Sequence, residues 1–359
     1  MINYSKDLLK ILQENSVISE SFGSEITLKP VPDIEGTALD PREKALYLRH
    51  LNSNHRPAQT LQDHRDDTGF PGLNLNTKTI LTDKLTLNCD GYDFTVWEYR
   101  LRRTKRQGDA PALLYIHGGS FFAGSAQYME NLCKYICEEA DCVVYNIEYS
   151  LAPERPFPKG LNDCLCTLNF VYENAEALGI DKNKICISGD SAGAGIAAAT
   201  ALNKGKDKIR YMALLYPCVL LDTEAPFEWK EEDFAINEDE KSLVIPRLSL
   251  GRTDGKADMT FMTTIGHMYL STAGDLRHDP QVSPIYADFT GAPKTTVITA
   301  DYDGLRPQGE YFCAKLRESG ADARCIRYRG VFHAFAEKTG YLPQAQDALY
   351  EIAKDINSL

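Results

Sequence analysis

The pentapeptide Gly189-Asp190-Ser191-Ala192-Gly193 places a serine hydroxyl between two glycines. It follows an apolar run, Lys184–Ile187, with the character of a strand, and it opens a stretch of small residues, Ala192–Asn203, with the character of a helix. G-x-S-x-G carries chemical meaning in that context of strand, sharp turn and helix. A serine at the apex of so tight a turn leaves no room for side chains two residues to either side, and Gly189 and Gly193 meet that condition. The start of a helix also favours negative charge developing beside the hydroxyl. The competing reading is a glycine-rich turn with an incidental serine, and the flanking elements weigh against it.

A serine needs a base to become a nucleophile, and the base needs a partner that holds its tautomer. His333 follows the expected strand Arg324–Tyr328, in Gly330-Val331-Phe332-His333-Ala334-Phe335. Asp303 follows the expected strand Thr295–Thr299, in Ala300-Asp301-Tyr302-Asp303-Gly304-Leu305-Arg306. The chain order Ser, Asp, His suits a nucleophile, an orienting acid and a general base. Strand boundaries alone do not separate Asp301 from Asp303. Gly304 favours Asp303, because the chain can turn there and aim the carboxylate at the loop of His333. Acyl transfer also builds an oxyanion, which backbone N–H groups can hold. The candidate donors are Gly118, Gly119 and Ser120 in His117-Gly118-Gly119-Ser120, with Ala192 after the nucleophile. His117 itself is read as a structural hydrogen-bonding residue. Phe121, Phe122 and Asp190 are candidates for the wall of the substrate pocket.

These residues need a scaffold that gathers distant loops. Short apolar runs at Ala112–Ile116, Cys142–Ile147, Lys184–Ile187, Tyr211–Tyr216, Thr295–Thr299 and Arg324–Tyr328 alternate with helical segments. The helices fall near Tyr128–Ala140, Leu161–Leu178, Ala192–Asn203, Arg306–Ser319 and Ala345–Ile356. Continuous apolar strands alternating with helices predict an α/β fold with a mostly parallel sheet covered on both faces. A hairpin, Thr82–Leu87 and Phe94–Arg100, precedes them, turned at Cys89-Asp90-Gly91. The expected organisation is an N-terminal part of a cap over 1–80, a core over 81–221 and 271–359, and a cap or lid insertion over 222–270. Within the first part, Leu8, Leu9, Ile11 and Leu12 fit one helical face, and Asp40-Pro41 reads as the start of a second helix.

Four blocks, HGGSFFAGS (117–125), YSLAPERPFP (149–158), GDSAGAG (189–195) and ADYDGLRPQG (300–309), with GVFHAF (330–335) after them, carry a family resemblance. The chain resembles the bacterial hormone-sensitive-lipase family of esterases, densely over 112–335 and weakly over the first 80 residues and 222–270. The resemblance implies an α/β-hydrolase fold with a helical cap. It implies a serine carboxylesterase acting through an acyl-enzyme on Ser191; the strong acidity and the lack of a large apolar signature point to small soluble short-chain acyl esters, as an acetyl esterase takes. Asp303 occupies the family's acid position, whereas Asp301 fills one outside the triad. The block Tyr149–Pro158 is read as a structural brace. The chain departs from the family where Ser120 stands for a third glycine, where Gly304 stands for a proline and where Pro307-Gln308 stands for an acidic pair.

The other readings weighed are a non-catalytic small-ligand receptor on the same fold and a peptidase or amidase using the same triad. A formal net charge of -12 over 359 residues repels phosphate backbones, so no nucleic-acid partner is expected. The basic cluster Arg100, Arg102, Arg103, Lys105 and Arg106 reads as a solvated hairpin tip. With no run of 18 apolar residues and no secretory h-region, no membrane partner is expected, and the location is read as cytoplasmic. Ten cysteines without redox or zinc spacing are read as reduced core thiols. No cofactor and no metal is expected, since His50, His55 and His64 have no helical ligand spacing. The expected partner is a small-molecule ester; the oligomeric state is open, a homodimer among the options.

Overall fold

The computed structural model describes residues 3–34, 38–52, 60–102, 108–222, 224–252, 260–271 and 276–359. Ten strands form one sheet: β1 (Val17–Ser21), β2 (Ser24–Lys29), β3 (Ile80–Cys89), β4 (Tyr92–Leu101), β5 (Ala110–Ile116), β6 (Val143–Glu148), β7 (Ile180–Asp190), β8 (Tyr211–Leu215), β9 (Lys294–Tyr302) and β10 (Ala323–Phe332). Their spatial order is β1-β2-β10-β9-β8-β7-β5-β6-β4-β3. Every pairing from β2 to β6 is parallel, and the β3–β4 hairpin adds antiparallel to β6. All of β8 and nearly all of β6 is buried, as strands covered on both faces must be.

Helices Lys159–Glu173, Ala192–Leu202 and Arg306–Glu318 cover one face and share a core with Leu114, Ile187 and Val297. Helices Glu130–Ala140 and Pro343–Asn357 cover the other, around Leu113, Tyr115 and Ile298, and Leu12 of helix Lys6–Glu14 joins that cluster. Every residue of Ala192–Leu202 is buried, which its run of Ala and Gly allows by letting the backbone approach the sheet. Helix Pro41–Asn52 begins where expected, with Asp40 Oδ1 accepting from the Arg42 N–H at 2.8 Å.

Three expectations change. First, part of the stretch assigned to the cap belongs to the sheet: β2 pairs parallel to β10, and β1 forms the edge. Lys29, buried at the end of β2, meets Asp347 at 3.0 Å and Glu351 at 2.9 Å on the last helix. Such a buried, doubly paired ammonium is costly to break, so it pins the hairpin to the core. Second, Cys89 and Cys166 form a disulfide, 77 residues apart, so the ten thiols are not all reduced. Third, Arg100 is not at a solvated tip but buried beside Glu98 at 2.6 Å; Arg103, Lys105 and Arg106 lie outside the described residues.

The long insertion after Asp222 carries short helical turns, Glu231–Phe234, Glu238–Glu240, Lys241–Val244 and Ile245–Ser249, and then helix Thr260–Leu270. It has a small core of its own, Trp229, Phe234, Val244 and Leu248, closed by Leu39, Tyr302 and Phe332. It docks on Gly304, whose carbonyl accepts from Trp229 Nε1 at 3.1 Å. A Cβ at Gly304 would stand 2.0 Å from Leu250 O and 2.3 Å from Leu248 O. That contact is a physical reason for glycine at this departure from the family pattern. Gly304→Ala is therefore expected to destabilise the protein by roughly 1–3 kcal/mol, as overpacking does. A calorimetric melt unchanged within error would contradict the docking contact.

Candidate active site

β7 ends at Asp190 and helix Ala192–Leu202 starts two residues later, so Ser191 alone makes the turn. Its backbone sits at φ 53°, ψ -121°, a region that side-chain-bearing residues rarely occupy. The flanking glycines have no space to spare. A Cβ at Gly189 would lie 2.6 Å from Ile116 O, and one at Gly193 would lie 2.1 Å from the same oxygen. The steric argument from the sequence is thus met atom by atom. Leu215 O accepts from the Ser191 N–H at 2.9 Å, and Ser191 O accepts from Cys218 N–H at 3.0 Å, tying the turn to β8 and the loop beyond it.

The structure brings together the three side chains expected to work as a unit. His333 Nε2 lies 2.8 Å from Ser191 Oγ, and His333 Nδ1 lies 2.7 Å from Asp303 Oδ2. A carboxylate beside Nδ1 makes that nitrogen the donor, which leaves Nε2 free to accept from the serine hydroxyl. Asp303 is fully buried, and its other oxygen accepts from Leu305 N–H at 2.9 Å. Asp301 faces elsewhere: Oδ2 accepts from Gly330 N–H at 3.4 Å, and Oδ1 lies 3.5 Å from Arg306. Tyr216 packs edge-on against the imidazole, ring centres 4.9 Å apart.

The glycine loop after β5 departs from expectation at one donor. The Gly118 N–H is spent on Asp190 Oδ1 at 2.9 Å, so Gly118 is not free to hold an oxyanion. Among the described residues, the N–H groups of Gly119, Ser120 and Ala192 have no such engagement. Gly119 stands at φ 119°, where a Cβ would meet Ala123 O at 2.1 Å. Ser120 takes the glycine-like backbone that its place demands, φ 55°, and Phe121 follows at φ 67°. His117 is buried, its Nδ1 meets Gly118 O at 2.7 Å, and its ring stacks on Tyr149 at 4.4 Å. Burial pushes its pKa down to about 4, as befits a neutral structural imidazole.

A cavity of about 330 Å³ opens on Ser191 and His333, lined also by Thr68, Gly69, Gly119, Ser120, Asp190, Pro246, Arg247, Ser249, Leu250, Ala334 and Glu337. Phe121 and Phe122 do not line it. Phe121 stacks on Tyr269 of the insertion, centroids 4.1 Å apart, and Phe122 meets His64 edge-on. Both rings are taken up by these packing contacts. The brace expected at Tyr149–Pro158 is in place: Ala152 N–H donates to Phe121 O at 3.0 Å, and Tyr149 O–H donates to His117 O at 3.1 Å. Arg65 clamps the same loops, donating to Phe122 O at 2.7 Å and Ala152 O at 3.1 Å while paired with Glu154. No sequence signal marked Arg65, Arg247 or Glu337. His55 lies outside the described residues.

Asp190 does reach the cavity wall. It is fully buried, with Oδ1 held by Tyr115 O–H and Gly118 N–H, both at 2.9 Å, and Oδ2 without a partner among the described residues. Burial pushes its pKa up to about 6, against those hydrogen bonds. Burial, then the charge of Asp190, push Glu337 up to about 8, although Phe70 N–H donates to it at 2.9 Å.

A family model described as alpha/beta hydrolase fold matches residues 113–337. An arylesterase of Saccharolobus solfataricus is 29% identical over 279 residues, 77% of this chain and 83% of that protein. Esterase LipI of Mycobacterium tuberculosis is 28% identical over 247 residues, 67% of this chain and 71% of that one. A hyperthermophilic esterase from the archaeon Pyrobaculum calidifontis superposes with a TM-score of 0.73 at 28% identity, over 89% of this chain and 98% of that one.

Glu337 has a stability consequence. A carboxyl whose folded pKa is raised leaves stability intact below its unfolded pKa and withdraws it as pH rises toward the folded value. For Glu337 that window runs from about 4.5 to about 8. Glu337→Gln should therefore gain in Tm over the parent as pH rises, by a few °C at pH 8 and by about nothing at pH 5. Melting curves showing the gain constant or shrinking with pH would contradict the assignment.

Proposed function

The chain belongs to the alpha/beta hydrolase fold family, matched over more than half its length, and from that premise we propose that it is a serine carboxylesterase whose nucleophile is Ser191. The observation that carries this reading is the unbroken line Asp303–His333–Ser191 at 2.7 and 2.8 Å. His333 Nε2 takes the Ser191 Oγ proton as Oγ attacks the ester carbonyl. Asp303 holds the Nδ1–H tautomer and stabilises the imidazolium. The carbonyl oxygen becomes an oxyanion held by the N–H groups of Gly119 and Ala192, with Ser120 as the third donor. His333 then returns the proton to the leaving alcohol, leaving an acyl-enzyme. Water, deprotonated by His333, attacks the acyl carbon, and the proton passes back to Ser191. The same intact line weighs against a non-catalytic receptor.

The insertion over 222–270, with Thr68 and Gly69 from the N-terminal segment, acts as a cap, since both supply the outer wall of the cavity. A cavity of about 330 Å³ lies at the small end of ligand pockets, which favours short acyl chains. The substrate is thus a small soluble ester. Among the described residues no helix is long and apolar enough to cross a membrane.

Two measurements test the reading. Asp303→Asn should lower kcat on the order of 10³- to 10⁴-fold with an unchanged melting curve, because the imidazole loses its tautomer anchor. Asp301→Asn should lower it only about tenfold, acting through the Gly330 loop. The reverse ranking would reassign the acid. On a panel of 4-nitrophenyl esters, C2–C6 chains should turn over faster than C12, and faster C12 turnover would refute the small-substrate reading.

A further inference from the structure

Among the described residues, Arg247 is the only Lys or Arg that lines the cavity. It stands on the short turn Ile245–Ser249, whose Leu248 is buried in the insertion's core, so the turn is anchored. Its guanidinium lies over two rings, 5.4 Å from Tyr47 and 5.6 Å from Phe332. Those faces hold a cation in place but accept no strong hydrogen bond. Its Nε is buried without a partner, and no ion pair among the described residues includes it. The chain has 51 Asp and Glu against 39 Lys and Arg, so acids to pair with were abundant. Arg252, five residues on, meets Glu231 at 3.2 Å. Of the two carboxylates of the cavity wall, Asp190 is held through Oδ1 by Tyr115 and Gly118 while its Oδ2 has no partner among the described residues, and Glu337 accepts from Phe70 N–H; neither forms an ion pair with Arg247.

Building on the esterase reading above, we propose that the cavity takes esters carrying a free carboxylate, namely monoesters of short dicarboxylic acids, and that Arg247 binds that carboxylate while Ser191 attacks the ester carbonyl. A guanidinium presents paired N–H donors in a planar fork that matches a carboxylate, which an ammonium does not. Hydrolysis consumes water and releases the dicarboxylate and the alcohol. The general negative charge of the protein does not oppose this at close range, because exposed charges more than about 8–10 Å away are largely screened at physiological salt.

The test compares 4-nitrophenyl hemiglutarate with 4-nitrophenyl valerate, which match in chain length and differ in the carboxylate. The readout is the ratio of their kcat/KM values, in which any general loss cancels. Arg247→Met should lower the ratio about 10- to 100-fold, the loss of a charged hydrogen-bonded pair, and Arg247→Lys should lower it less. A ratio changed less than about threefold by Arg247→Met, with ester turnover present, overturns the anion site and leaves the esterase reading standing. A second arm needs no turnover: calorimetric binding of monomethyl glutarate to Ser191→Ala and to the Ser191→Ala/Arg247→Met double variant. Binding at least about tenfold weaker in the double variant supports the site even if no ester is hydrolysed, an outcome that would sink the esterase reading alone. Equal binding in both overturns the site.

Discussion

The backbone of Ser191 is held where a side-chain-bearing residue is strained by about 1–3 kcal/mol, and much of the surrounding architecture serves to hold it there. β8 receives its N–H, the loop after β8 donates to its carbonyl, and β5 closes against Gly193 so tightly that a methyl group would not fit. The small-residue helix behind it is buried along its whole length, so the turn cannot relax outward. Strain stored this way points the hydroxyl at the carboxyl ends of parallel strands, where the loops after β5, β9 and β10 converge.

Two layers of polar groups then divide the work. His333 faces the hydroxyl directly, and Asp303 holds the far side of its ring. Behind the glycine loop, Asp190 takes up the Gly118 N–H. Arg65 and Tyr149 hold that loop from the outside through carbonyl contacts. The rim comes from segments distant in the chain: the N-terminal segment through Thr68 and Gly69, the insertion through Pro246–Leu250. The same β9–β10 end that positions Asp303 and His333 also receives the insertion on Gly304 and Phe332, so these two side chains and the outer wall share one foundation.

What could be read from the sequence was local or strictly ordered. The turn at Ser191 announced itself because its steric demand falls on residues two positions away, and the order of Ser191, Asp303 and His333 follows from successive parallel strands. Asp303 was separable from Asp301 by a neighbouring glycine and a family position, and the hydrogen bond to His333 agrees. The misreadings are long-range. The Gly118 N–H is consumed by a carboxylate 72 residues later. β2 pairs with β10 across nearly the whole chain, and its short alternating pattern, SEITLK, looks like many surface segments. Phe121 and Phe122 stand beside the hole in sequence, yet their rings are taken up by packing on Tyr269 and His64. The Cys89–Cys166 bond joins a strand end to a helix with no spacing signature.

The central claim is that Ser191 is the nucleophile of an acyl transfer. Its most direct test is a fluorophosphonate probe on the intact protein, followed by peptide mass spectrometry, with His333→Ala as the control. The account predicts one adduct per chain, on Ser191, at a rate that collapses in the His333 variant. An adduct on any other residue, or labelling of Ser191 indifferent to loss of His333, would contradict it.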